Sequence, residues 1–119
     1  MGEFKYEIAG KVYVQKPLVL GQIKQMLNLL KGVALPADPD ALNIAAALGD
    51  RLSNALAVIL VEEGTRLRDK NMDKVSEELD ESMSLELAAK VIEDFFLINP
   101  ILSLLKKAEQ IASGMMQKT

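Results

Sequence analysis

Apolar residues recur at every second position near the start of the chain and at every third or fourth position after it. This single change of period decides what the chain can fold into. Phe4, Tyr6 and Ile8 alternate with Lys5 and Glu7, and Val12 and Val14 alternate with Lys11, Tyr13 and Gln15. A period of two marks a half-buried strand. Ala9-Gly10 with Lys11 supplies a tight turn, so residues 4–16 are predicted to form a β-hairpin. Pro17 ends the second strand because proline has no N–H to give a ladder. Two strands alone are marginal in water, so the hairpin must rest its apolar face on the helical remainder of the chain.

From Leu18 onward the period is helical. Leu20, Ile23, Leu27 and Leu30 share one face, joined by Met26 and Leu29, and Gly32 is the expected C-cap. The stretch from Val33 to Pro39 reads as a loop. Asp38 as N-cap with Pro39 at the first helical position, or Asp40 further on, starts a second helix. That helix is expected to run from Pro39 to Glu63 and to stop at Gly64. Leu42, Ala45, Gly49, Leu52, Leu56 and Ile59 recur along it as a heptad-like seam. Ala45, Ala46 and Gly49 leave room for close approach of another helix, either within the bundle or from a second chain.

Residues 62–82 are the polar stretch, where Leu67, Val75 and Leu79 give only a thin apolar stripe, so a short solvated helix or a connector is expected. Asp69, Asn71 and Asp73 match the first ligands of a calcium loop, but Lys74 stands where the turn needs Gly, and Asp80 where the bidentate Glu belongs. Ser84 then caps a helix through Leu97, with Leu85, Ala88, Ala89, Ile92, Phe95 and Phe96 as its apolar face. Glu93 and Asp94 read as its polar side. Asn99-Pro100 breaks it and opens a last helix over residues 100–113, lined by Ile101, Leu104, Leu105, Ala108 and Ile111. The expected fold is one mainly α domain, an N-terminal β-hairpin followed by a bundle of about four to five helices. Its parts are the hairpin (1–17), two helices (18–63), a polar connector (64–83), a C-terminal helical pair (84–114) and a tail (115–119).

Composition narrows the chemistry. Among 119 residues there is no Cys, His or Trp, which removes disulfides, thiolate and imidazole metal sites and the usual general base. The glycines are dispersed and form no phosphate-binding loop. No serine has a histidine to activate it. The chain is therefore expected not to be an enzyme and to need no cofactor or metal. Lys and Arg number 14 against 17 Asp and Glu, so no basic footprint for nucleic acid exists. The longest apolar run, Ala55 to Val61, spans 7 residues, well short of the roughly 18–20 that cross a bilayer. With no basic and apolar leader at the start, a soluble cytoplasmic protein is expected. Apolar residues make up 50 % of the chain before its 7 glycines are added. That total exceeds the roughly 45–50 % of a typical soluble domain and points to a surface awaiting cover, in a homo-oligomer or a complex.

Two segments carry a family resemblance. Tyr6-Glu7-Ile8-Ala9-Gly10-Lys11-Val12-Tyr13-Val14-Gln15-Lys16-Pro17-Leu18 resembles the hairpin that opens small bacteriophage tail proteins and leads directly into a helix. Val91-Ile92-Glu93-Asp94-Phe95-Phe96-Leu97-Ile98-Asn99-Pro100 resembles a helix end of the same group. Together they are similar to the tail assembly chaperones of long-tailed phages and prophages. One departure is Val19-Leu20-Gly21, where Ser or Thr is expected to cap the first helix. The resemblance implies a protein that coats the helical tape-measure protein before the tail tube closes, with the tape-measure and tail tube proteins as partners. On chemistry alone, the candidate contact residues are Met26, Leu30, Leu52, Leu56, Ile59, Phe95, Phe96 and Leu102. A structural virion component that forms a ring, or a small helical regulatory protein, is the alternative reading of the same features.

Overall fold

A computed structural model describes residues 2–34, 36 and 40–99. The chain runs β1 (Phe4–Ile8), β2 (Lys11–Gln15), α1 (Leu20–Leu29), α2 (Ala41–Leu48), α3 (Leu52–Ile59), β3 (Leu60–Glu62), α4 (Met72–Ser82) and α5 (Leu85–Ile98). Single 3₁₀ turns lie at Gly49–Arg51 and Leu67–Asp69. The protein is mainly helical with a small antiparallel sheet of order β1-β2-β3. The expected helix over residues 100–113 and the tail lie outside the described residues.

The hairpin forms where its alternation and turn place it. Ala9 (φ 54°) and Gly10 (φ 77°) both take positive φ, as a two-residue turn of the right twist demands. Gly adopts that geometry freely, but Ala9 holds it against its own Cβ. Asn tolerates it far better, so Ala9→Asn is expected to raise unfolding stability by about 0.5–1 kcal/mol in a denaturant titration. No gain would mean the turn does not constrain the hairpin.

Register decides which hairpin face turns inward. Tyr6 pairs with Tyr13 and Phe4 with Gln15, so these directly opposed side chains share a face. The inner face of β2 is therefore Tyr13 and Gln15, at 2 % and 0 % exposure, while Val12 is 37 % exposed. Val14, on the opposite face, is nonetheless covered at 9 % exposure, so of the two valines only Val12 is left to solvent.

The expected single helix from 39 to 63 is cut twice. Gly49 takes φ 51° and ψ −120°, a region that residues with a Cβ avoid, and it separates α2 from α3. The heptad-like seam is broken there. Ala45 before the break is buried, Leu42 is 58 % exposed, and Leu56 and Ile59 beyond it enter the core. The second cut follows Ile59, where the chain extends into β3 and pairs Leu60 with Gln15 and Val61 with Val14. Val61, at the centre of β3, is β-branched and suits a strand. A helix that ends under cover must find donors for its last carbonyls. Lys70 Nζ donates to the carbonyls of Ala57 (2.6 Å), Val58 (3.0 Å) and Leu60 (3.3 Å). Gln22 Nε2 donates to Val58 O at 2.9 Å. Gly64 consequently closes the turn after β3 and not a helix.

Gln22 also answers the missing cap of α1. Val19 has no acceptor to offer, and the Gln22 side-chain oxygen instead accepts the Val19 N–H at 3.0 Å. The other starts follow the ordinary rule. Asp40, the further of the two expected caps, accepts from Asn43 N at 2.8 Å; Asp38 and Pro39 lie outside the described residues. Asn71 caps α4 and Ser84 caps α5. The polar stretch supplies α4, which docks on α3 through Val75 and Leu79. Ser76 Oγ adds a 2.8 Å hydrogen bond to Asn54 Oδ1. α3 lies at the centre, with Ala57, Val58 and the following Leu60 fully buried. Helix α1 packs on one side of it, and α5 joins α2 on another. Among the described residues no helix is long and apolar enough to cross a membrane.

Candidate interaction surface

Helix α5 carries a carboxylate inside the protein. Asp94 is 1 % exposed, a correction to the solvated side expected for it; Glu93 beside it is exposed. Tyr6 Oη on β1 donates to Asp94 Oδ2 at 2.8 Å, and Gln15 Nε2 on β2 donates to Tyr6 Oη at 2.8 Å. Lys90 Nζ, one turn back on α5, donates to Asp94 Oδ1 at 2.8 Å and lies 5.8 Å from the Phe4 ring centroid. Burial first, and the Asp94 hydrogen bond second, push the Tyr6 phenol well above its ordinary value. These bonds lock the rotation of α5 about its own axis against the sheet. What α5 shows to solvent is thereby fixed.

That outward side is half of a groove. Between the start of α2 and the body of α5 lies an open depression of about 750 Å³. Ala41, Leu42, Leu87 and Ala89 supply its apolar surface, and Asp40, Glu86 and Glu93 its carboxylates. Along α5, Glu86, Lys90, Glu93 and Leu97 follow at spacings of four, three and four, which places them in one row. Leu97 is 73 % exposed. With Lys90 held by Asp94, the row presents an exposed leucine and two carboxylates that have no ion-pair partner among the described residues.

Helix α1 has the opposite character. Lys16, Lys24 and Lys31 are the only charged residues between positions 16 and 34. Its one buried residue is Gln22, and Leu20 and Leu27 are 66 % and 62 % exposed. Arg51 closes the end of this helix, donating from one nitrogen to the carbonyls of Leu29 (3.0 Å) and Lys31 (2.6 Å).

The residues singled out from sequence fall into three groups. Leu56, Ile59 and Phe95 are buried at 3 %, 4 % and 8 % exposure and belong to the core. Met26, Leu30, Leu52 and Phe96 are half-buried at its edge, and Phe96 meets Phe95 edge to face with centroids 5.2 Å apart. Leu102 lies outside the described residues. The exposed leucines 20, 27, 42, 85 and 97 were not singled out as contacts. Periodicity groups apolar positions on one face, which finds the core at Leu56, Ile59 and Phe95 but also places Leu20, Leu27 and Leu85 on faces the structure leaves exposed. The signal for the surface was a leucine sharing a helical row with like charges, as Leu20 and Leu27 do with Lys24. Among the described residues no group of three or more Asp or Glu gathers as a metal site requires. No family model matches the chain, and neither a curated protein nor a solved structure matches it.

Proposed function

We propose that the chain works without catalysis, as an assembly chaperone that holds an amphipathic helix of another protein in the groove between α2 and α5. The observation that carries this reading is the groove's make-up, in which Ala41, Leu42, Leu87 and Ala89 lie with three carboxylates, Asp40, Glu86 and Glu93, against one cation, Lys90, which Asp94 already holds. Such a surface suits a client helix with a leucine stripe flanked by lysine or arginine, since helix-in-groove recognition pairs apolar faces and lets rim charges choose the partner. The resemblance to phage tail assembly chaperones supplies the client. It is the helical tape-measure protein, with the tail tube protein as second partner and the bacterial cytoplasm as the place of action.

Co-expression with the tape-measure and tail tube proteins of a long-tailed phage tests the reading. The tape-measure protein is expected to become soluble and to co-purify with the chain. Glu86→Lys combined with Glu93→Lys is expected to reduce that recovery at least about tenfold. A tape-measure protein left equally insoluble with and without the chain would overturn the proposal.

A further inference from the structure

We infer that α1 of one copy binds α5 of a second copy, as antiparallel helices in one defined register. Helix α1 and the residues just past its end present Leu20, Lys24, Leu27 and Lys31 at spacings of four, three and four. The α5 row, Glu86, Lys90, Glu93 and Leu97, has the same spacings. Laid antiparallel, Leu20 meets Leu97, Lys24 meets Glu93, Leu27 lies over the Lys90 stem, and Lys31 meets Glu86. Glu86 and Glu93 are two helical turns apart, about 10.5 Å, and Lys24 on α1 and Lys31, one residue past the C-cap Leu30, have the same sequence spacing. Both ion pairs therefore close in one docking, and the one apolar end of each row finds the other.

Three observations argue for a second copy as the occupant. Of the charged side chains in the two rows, Lys24, Lys31, Glu86 and Glu93 have no ion-pair partner among the described residues, and Lys90 alone has one. Leu20, Leu27 and Leu97 are each more than 60 % exposed. Within one copy only the start of α1 is tied to the end of α5, Leu18 N–H donating to Asn99 Oδ1 at 2.8 Å, while the bodies of the helices pack elsewhere, α1 on α3 and α5 on α2 and α3. Charge and register on the chain itself thus provide a partner for each face. The inference shares the acidic groove with the proposed function, so the second copy guards that groove until a client helix displaces it. Its test uses the chain alone: self-association without client capture removes the proposed function and leaves this inference standing.

Sedimentation across a concentration series is expected to show reversible self-association that weakens as salt rises, since exposed pairs are screened. Lys24→Glu with Lys31→Glu, and separately Glu86→Lys with Glu93→Lys, are each expected to weaken it at least about tenfold. All four positions are exposed, and circular dichroism verifies that both variants stay folded. Mixed in equal amounts, the two variants regain complementary rows and are expected to associate again. The chain has no cysteine of its own, so Leu20→Cys mixed with Leu97→Cys reports the register directly by forming a disulfide-linked pair. Leu27→Cys mixed with Leu97→Cys is expected to link far less. A wild-type chain that stays monomeric, a mixture that does not reassociate, or equal linking by the two cysteine pairs would each overturn the inference.

Discussion

Replacing Asp94 with alanine is expected to destabilise the protein by about 3 kcal/mol or more. The carboxylate is 1 % exposed and takes hydrogen bonds from Tyr6 and Lys90. Without it, the Tyr6 hydroxyl has no acceptor at a place water does not reach, and the position on α5 is left as a gap. The contribution of the two donors differs. The Lys90 side chain is 58 % exposed, so its attraction to Asp94 is screened and Lys90→Ala is expected to produce a small loss. Tyr6 is 8 % exposed, and Tyr6→Phe strands a buried carboxylate oxygen at a cost of about 1–3 kcal/mol. Asp94→Asn keeps the volume and one acceptor, and should fall between the Asp94→Ala and Lys90→Ala variants. Urea titrations of the four variants give the ranking. Equal, small losses for Asp94→Ala and Lys90→Ala would show that the carboxylate is solvated and that α5 is not fixed through it.

The same residue shows where a linear sequence stops being legible. Local signals were enough for the hairpin, because Ala9-Gly10 and the alternation around it are short-range facts. They were also enough for α5, where Ser84 accepts from Leu87 N as a capping serine does. Asp94 stood beside Glu93 and read as surface because its partner, Tyr6, is 88 positions away. The end of α3 was hidden for the same reason. Ala55 to Ile59 continues a helical pattern, and only Lys70 and Gln22, brought in from other elements, satisfy the carbonyls that a break exposes. Gly49 was visible, but a small residue in a seam fits close helix packing as well as a chain reversal. For the interaction surface, composition gave the surplus of apolar residues and the structure gave their places. Periodicity led to Leu56, Ile59 and Phe95, which fill the core, but equally to Leu20 and Leu27 on the expected face of the first helix, which are exposed.

Raising the pH past 10 is expected to unfold the chain and ionise both tyrosines in one step. Tyr6 and Tyr13 are its only tyrosines, at 8 % and 2 % exposure. Each donates to a carboxylate, Tyr6 to Asp94 and Tyr13 to Glu78. A phenolate at either place would face that carboxylate with no proton between them. Burial first, and the carboxylate hydrogen bond second, hold both phenols well above their ordinary 10.0. The folded chain thus keeps two protons that the unfolded chain releases near pH 10. Their contribution is whole below that pH and is lost as pH climbs toward the folded values. Lys70 acts in the opposite sense. Burial lowers its pKa from 10.5 to about 8, so between those values the unfolded chain binds more protons and stability grows with pH. The two effects together give a stability that rises above pH 8 and turns over near 10. With no tryptophan present, the tyrosinate absorbance band can be followed beside the helical circular dichroism in one titration. The band should appear together with the loss of helix, Lys70→Met should flatten the rise, and Tyr13→Phe should move the turnover to higher pH. A tyrosine that ionises while the helices remain intact would show that its hydroxyl is not held by its carboxylate.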